Sequence, residues 1–73
     1  MKKIFIKDDY IKMNQLMKLC GVVGQGSDTK TFIDDEKIKL NGQTVKELRK
    51  KVYPGDIVCV EGFEDITVEE KEK

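Results

Sequence analysis

Residues 37–60 read KIKLNGQTVKELRKKVYPGDIVCV, and this stretch carries the strongest signals of fold in the chain. Its first four residues alternate charged and apolar side chains, as a half-buried strand does. The NG dipeptide at 41–42 follows directly and favours a two-residue hairpin turn, in which both central residues need a positive φ. The YPGD segment at 53–56 indicates a second tight turn, because proline presets φ and glycine tolerates unusual values. Since the apolar run at 57–60 predicts a further strand, the whole stretch predicts antiparallel β structure.

A first short helix is predicted upstream of this stretch. Four apolar residues recur at the spacing i, i+3, i+4, i+7, which places them on one face of a helix. They are Met13, Leu16, Met17 and Cys20. Gly21 follows in the position where a glycine commonly ends a helix in a left-handed conformation.

A second short helix is predicted after a connector that contains Gly24 and Gly26. Ser27 is its predicted N-cap, and Asp28 is favourable near the positive end of the helix dipole. The helix should extend to about residue 35, which makes it too short to be stable without packing. Its inner face is predicted to consist of Thr29, Phe32 and Ile33.

The remaining segments complete the predicted topology. Strands are predicted at 4–6 and 66–68, and residues 69–73 are expected to fray. The resulting order predicts an α+β fold, with two short helices packed on a small antiparallel sheet of four to five strands. A chain of 73 residues has room for one domain. We therefore expect a single domain over 1–73, with its core at 11–60 and an acidic C-terminal end at 61–73.

The residue types present argue against an enzyme. The chain has no histidine, which removes the commonest general base and metal ligand. Cys20 and Cys59 stand among apolar neighbours and are interpreted as buried thiols, with a disulfide or redox role as the less favoured alternative. Neither cysteine has a neighbouring base in the sequence, and Ser27 lacks a histidine partner. We therefore expect no catalytic residue, no metal and no cofactor.

Signals for membranes and secretion are weak. No apolar run approaches the roughly 18 residues that a membrane span needs. The N-terminal segment has only a short apolar run before charged residues, whereas a signal peptide needs a longer one. We therefore expect a cytoplasmic protein without a membrane partner.

Charge is balanced in total but unevenly distributed. The 14 basic and 14 acidic residues give a net charge of zero. Residues 37–51 hold six basic residues and one acidic residue, a net charge of +5, whereas residues 61–73 hold two basic and six acidic residues, a net charge of −4. Such a chain can still bind a polyanion through its basic part, because net charge does not describe a local surface.

Four motifs stand in a fixed order between residues 11 and 60: KLCG at 18–21, TKTFI at 29–33, IKLNG at 38–42 and YPGDIV at 53–58. In order and spacing they resemble the S4 RNA-binding domain, first described in ribosomal small-subunit protein four. The resemblance is to its compact stand-alone bacterial form, the YaaA/YbcJ-like family. Two residues depart from the family pattern, since Thr29 stands where an alanine is usual and Glu36 where a glycine is usual.

The resemblance implies a non-catalytic module with the α-L motif that recognises structured RNA, ribosomal RNA for example. It implies that the cations of the second helix and of the run at 49–51 form one RNA-facing surface, which the first helix extends. The start of the second helix adds backbone N–H groups that suit phosphate. The candidate RNA-binding residues are Lys12, Lys18, Gly26, Ser27, Lys30, Arg49, Lys50 and Lys51.

One alternative function uses the same surface. A protein-interaction adaptor of this fold would bind an acidic protein partner through the same basic face. The sequence shows no aromatic platform for stacking bases, and Tyr53 is interpreted as a packing residue at its turn. In either case we expect a monomer without a small-molecule substrate.

Overall fold

The computed structural model describes residues 1–24 and 26–71, and the side chains of residues 26–28 also lie outside the description. Within these residues the chain forms two helices, α1 and α2, and seven strands, β1 to β7. Their order and bounds are β1 (Lys2–Ile6), β2 (Ile11–Lys12), α1 (Met13–Leu19), α2 (Gly26–Asp34), β3 (Ile38–Leu40), β4 (Gln43–Thr44), β5 (Lys51–Val52), β6 (Ile57–Val60) and β7 (Ile66–Glu70).

The strands form two separate sheets. Five of them form one sheet in the order β1-β7-β6-β3-β4, and β2 pairs with β5 in a two-stranded antiparallel ribbon. The predicted α+β class is confirmed. The large sheet is mixed rather than wholly antiparallel, because β1 lies parallel to β7 with Lys2 opposite Ile66. No hairpin joins these two strands, so no turn forces them to run in opposite directions.

The core lies between the helices and one face of the large sheet. Met13, Leu16 and Met17 of α1 are fully buried, which confirms the predicted helix face. Apolar side chains of both helices and of the sheet form a single cluster, in which Val58 and Val68 have no exposed surface. Strand alternation sends every second residue of β6 and β7 into this cluster.

The predicted turns are present. Asn41 and Gly42 have φ values of 51° and 88°, as a type I′ hairpin turn requires. Gly55 has a φ of 95°, and the N–H of Asp56 donates to the carbonyl of Tyr53 at 3.0 Å, which closes the second turn. Local sequence was therefore sufficient to predict where the chain reverses.

Both helices end in a Schellman motif, although only one ends at a glycine. Gly21 follows α1 with a φ of 76°, and Glu36 follows α2 with a φ of 59°. After α2, the N–H of Glu36 donates to the carbonyl of Ile33 at 3.0 Å, and the N–H of Lys37 donates to that of Phe32 at 2.9 Å. Glu36 thus adopts the left-handed backbone that usually favours glycine at this position of a helix end.

Two predicted element ends differ from the structure. Helix α2 begins at Gly26, so Ser27 lies inside the helix and is not its N-cap; the side chains of Ser27 and Asp28 lie outside the described residues. The predicted fraying after residue 68 is wrong for the described part, because β7 continues to Glu70 and the N–H of Lys71 donates to the carbonyl of Ile6 at 2.8 Å. Pairing with β1, a partner far away in sequence, keeps these residues in the sheet.

Candidate nucleic-acid interface

The β2–β5 ribbon places two lysines opposite each other. Ile11 pairs with Val52, and Lys12 pairs with Lys51. Ile11 and Val52 are buried, with 6% and 0% of their surface exposed. Because successive side chains of a strand point to opposite faces, the two lysines project away from the core.

The loop before β5 is held against the start of α1. The N–H of Met13 donates to the carbonyl of Lys50 at 2.8 Å, and the N–H of Asn14 donates to the carbonyl of Leu48 at 3.1 Å. These carbonyls satisfy two of the backbone donors that the first turn of a helix leaves unpaired. The contacts fix the basic run beside Lys12. We call Lys12, Arg49, Lys50 and Lys51 the basic ribbon.

Among the described residues no cation of the basic ribbon forms an ion pair, although Asp8 and Asp9 line a shallow groove together with Lys12. The one ion pair in the described part of the chain joins Lys46 Nζ to Glu36 Oε1 at 2.9 Å, at an exposed site. Arg49, Lys50 and Lys51 are exposed, and Lys12 is half-buried. Like charges directly opposite each other in an antiparallel pair are destabilising. The arrangement therefore favours an anion between or above the two lysines.

Two tyrosines that sequence reasoning did not select flank the basic ribbon. Tyr53 is 47% exposed, so it packs at its turn with only part of its surface and leaves the rest open. Its ring centroid lies 5.8 Å from that of Tyr10, and Lys51 Nζ lies 4.9 Å from the Tyr10 centroid. The alternation of Tyr10-Ile11-Lys12 and Lys51-Val52-Tyr53 was the available signal, but it becomes informative only when the two segments are paired.

A groove runs from the ribbon along the outer side of α1. It is open, has a volume of about 720 Å³, and includes Tyr10, Gln15 and Lys18 in its lining. Lys7 and Asp8 line it as well, so the groove carries both signs of charge. The structure thus places the candidate Lys18 on the same groove as Tyr10, together with Lys7, which sequence reasoning missed.

The candidates on α2 are not joined to the basic ribbon by a described contact. Lys30 is exposed, and within 1–24 and 26–71 no hydrogen bond or ion pair links it to the ribbon. Gly26 and Ser27 form the first turn of α2, but their side chains lie outside the described residues. The described contacts therefore bring together Lys12, Arg49, Lys50 and Lys51, with Lys18 nearby, whereas Lys30 is an exposed residue of α2.

The cysteines favour the protonated form. Burial raises the pKa of the Cys20 thiol above its ordinary value, and the nearby Lys2 offsets part of this shift. The pKa of Cys59 is also raised, first by desolvation and then by the neighbouring Asp65 carboxylate. Cys59 is half-buried on the outer face of β6, so only Cys20 is buried as expected. A thiol with a raised pKa is a poor nucleophile at neutral pH.

The described residues contain neither a cluster of metal ligands nor a helix that could span a membrane. Among the described residues, no three histidine, cysteine or acidic side chains cluster as metal ligands would. Neither described helix is long and apolar enough to cross a membrane.

Comparison with known proteins identifies the class of this chain. Residues 4–69 match the model of the S4 domain, so the chain belongs to the S4 domain family. The predicted resemblance is therefore confirmed. The match extends beyond the motifs at 11–60 to include most of β1 and β7.

Two known proteins are similar to this chain over most of its length. The chain is 32% identical over 60 residues to the probable ribosome maturation protein RlbA of Bacillus subtilis (strain 168), which covers 82% of this chain and 84% of RlbA. It is also 29% identical over 59 residues to the tyrosine–tRNA ligase of Nitrosomonas europaea, which covers 81% of this chain but 14% of the ligase. The first relative is similar over nearly its whole length, whereas the second contains the similar region as a small part of a larger enzyme.

Proposed function

We propose that this chain is a non-catalytic module that binds folded RNA, with ribosomal RNA as the leading candidate, through the basic ribbon. The observation that supports this most directly is the pairing of Lys12 with Lys51. Two lysines held opposite each other repel, and a phosphate that contacts both removes that repulsion. The cross-strand pairing of the two lysines thus favours the binding of a phosphate.

The neighbouring cations suit a nucleic-acid backbone better than a single small anion. Arg49 and Lys50 extend the ribbon on a loop that backbone hydrogen bonds hold against α1. Several fixed cations on an open surface can contact successive phosphates and recognise the shape of a folded RNA. In this proposal Lys18, Lys30 and the start of α2 at Gly26 and Ser27 contribute additional phosphate contacts at the periphery.

The relatives support the choice of RNA as the partner. The name of RlbA assigns that protein to ribosome maturation, and the name of the ligase specifies tRNA as its substrate. RlbA is similar to this chain over most of its own length, so a role at the ribosome is the closer analogy. A ribosomal partner would place the protein in the cytoplasm.

The test is a filter-binding titration with a folded ribosomal RNA fragment at several salt concentrations. The variant Lys12→Gln/Lys51→Gln removes both charges of the cross-strand pair. We expect its affinity for the RNA to fall about tenfold or more. The negative slope of the logarithm of the binding constant against log salt should also become shallower, by about 1 for each lysine removed.

A matched control removes two lysines from another surface. Lys3 and Lys39 are exposed and lie on the outer face of the large sheet, opposite the core. The variant Lys3→Gln/Lys39→Gln has the same net charge as the test variant, and we expect less than a twofold change in affinity. Equal losses in the two variants would contradict a localised interface. If the wild-type protein does not bind RNA at any salt concentration, the adaptor function with an acidic protein partner becomes the better proposal.

A further inference from the structure

The outer side of the β2–β5 ribbon carries aromatic rings beside its lysines. Tyr10 directly precedes β2 and Tyr53 directly follows β5, so the two tyrosines flank the pair of Ile11 and Val52. The ring centroids of the two tyrosines lie 5.8 Å apart. Lys51 Nζ lies over the Tyr10 ring, which places the rings on the lysine side of the ribbon. One face of the ribbon therefore presents two aromatic rings next to two cations.

The two rings leave aromatic surface open. Their planes are inclined by 60°, so they do not cover each other face to face. Tyr53 is 47% exposed, although a tyrosine ring is large enough to contribute strongly to a core. Lys51 Nζ lies 4.9 Å from the Tyr10 centroid, within the range of a cation–π contact. An exposed ring beside a cation suits a planar ligand that also carries negative charge.

The turn that carries Tyr53 is held by hydrogen bonds from a distant part of the chain. The N–H of Tyr53 donates to Asp56 Oδ2 at 2.8 Å, and Asn41 Nδ2 donates to Asp56 Oδ1 at 3.2 Å. Asn41 Oδ1 in turn accepts the N–H of Ile57 at 2.9 Å. The hairpin turn at 41–42 and the turn at 53–56 are thus fixed to each other. The backbone of Tyr53 is ordered before any ligand binds, which lowers the entropy lost on binding.

We propose that Tyr53, supported by Tyr10, stacks against an unpaired nucleobase of the bound RNA while Lys12 and Lys51 hold an adjacent phosphate. This inference rests on the proposed function and specifies its substrate: a folded RNA with a bulged, looped or terminal nucleotide next to a helix. Bases in an uninterrupted duplex stack on one another and cannot reach the rings. An unpaired base is free to do so, and stacking on an aromatic side chain tolerates any base.

The experiment compares two RNA hairpins that differ by one nucleotide. One hairpin has a single bulged 2-aminopurine, and the other has the same paired sequence without it. We expect the wild-type protein to bind the bulged hairpin about tenfold more tightly. The variant Tyr53→Leu should lose this preference and bind both hairpins equally, because leucine has no planar ring. The variant Tyr53→Phe keeps the ring without the hydroxyl and should keep the preference.

A second readout uses the unmodified protein. The chain has two tyrosines, Tyr10 and Tyr53, and three phenylalanines. We expect the ring protons of both tyrosines to shift upfield in NMR spectra with the bulged hairpin, and those of the phenylalanines to stay unchanged. This measurement remains decisive if Tyr53→Leu does not fold.

The outcomes separate the two proposals. Equal affinity of the wild-type protein for both hairpins, without a tyrosine shift, would overturn the stacking site and leave RNA binding intact. Retention of the preference by folded Tyr53→Leu would overturn it as well. Failure to bind either hairpin or the ribosomal fragment would instead overturn the proposed function.

Discussion

The backbone of Glu36 is in a conformation that suits glycine better than glutamate. Its φ of 59° lies in the left-handed region, where a side chain is unfavourable. Its carboxylate is also close to the C-terminal end of α2, where the helix dipole disfavours negative charge. The one compensating contact is the hydrogen-bonded ion pair with Lys46, which lowers the pKa of Glu36. At an exposed site such a pair adds little to stability.

We therefore expect the variant Glu36→Gly to be more stable than the wild-type protein. Relief of the backbone strain should exceed the loss of the exposed ion pair and raise the melting temperature by a few degrees. The matched control Glu36→Ala also loses the ion pair but keeps a side chain at the strained position. It should show no such rise, and a melting temperature of Glu36→Gly at or below that of Glu36→Ala would refute the argument. Thermal unfolding followed by circular dichroism measures both.

The buried thiol of Cys20 should make stability sensitive to alkaline pH. Burial raises the pKa of Cys20 above its ordinary value of 9.0, so the unfolded chain loses this proton at a lower pH than the folded chain. As pH rises above about 9, ionisation therefore favours the unfolded state. The stabilising contribution of the protonated thiol is complete below that pH and is lost as pH rises through the folded-state pKa.

This pH dependence can be measured against Cys20→Ala. At pH 7 we expect the variant to be less stable, because a smaller side chain leaves a gap in the core. The difference in the free energy of unfolding should narrow as pH rises above about 9, since only the wild-type protein carries the thiol. Urea titrations below and above this pH provide the values, and a constant difference would show that Cys20 does not titrate differently in the two states.

At the scale of elements, Asp56 connects two turns that the sequence presents as independent. Its carboxylate accepts from Tyr53 in its own turn and from Asn41 in the hairpin turn. The first bond is local and follows from the turn motif. The second spans 15 residues and depends on the pairing of β3 with β6, so it was not predictable from either motif alone.

We expect Asp56→Ala to lower the free energy of unfolding by about 1–3 kcal/mol, because two hydrogen bonds to a charged acceptor are lost. The control Glu64→Ala removes a carboxylate from an exposed position in the loop before β7 and should change stability by less than about 0.5 kcal/mol. Chemical denaturation compares the two. If the two variants lose equal stability, the connection between the turns is not important for the fold.

At the scale of the whole molecule, the last strand completes the sheet. Ile66 and Val68 of β7 have 1% and 0% of their surface exposed, and β7 lies between β1 and β6. The acidic C-terminal end at 61–73 was expected to lie outside a core at 11–60. The division into a core at 11–60 and an end at 61–73 stays a prediction. Because Ile66 and Val68 are buried, deletion of residues 61–73 tests this division.

We expect deletion of residues 61–73 to abolish cooperative folding. Burial of an isoleucine and a valine contributes roughly 3–6 kcal/mol, whereas a domain of this size has a total stability of roughly 4–11 kcal/mol. The variant Glu69→Gln/Glu70→Gln removes acidic charge but keeps the strand, and it should fold normally. Circular dichroism melts distinguish the two effects, and a cooperative melt of the truncated chain would support the narrower core.

Local signals were sufficient for much of this protein. The apolar face of α1, both turns and the strand at 57–60 were predicted because each depends on residues close together in sequence. The order of four short motifs was enough to indicate the S4 family, which comparison confirmed. The basic run at 49–51 was also visible, since neighbouring charges need no fold to be recognised.

Contacts between distant segments account for the rest. The parallel pairing of β1 with β7 and the order of the β7 residues depend on strands at opposite ends of the chain. The same holds for the basic ribbon, because Lys12 and Lys51 become neighbours only when β2 pairs with β5. The tyrosines at 10 and 53 could not be recognised as a pair for the same reason. Sequence patterns report local preferences, whereas pairing across 39 or more residues follows from burial of the whole core.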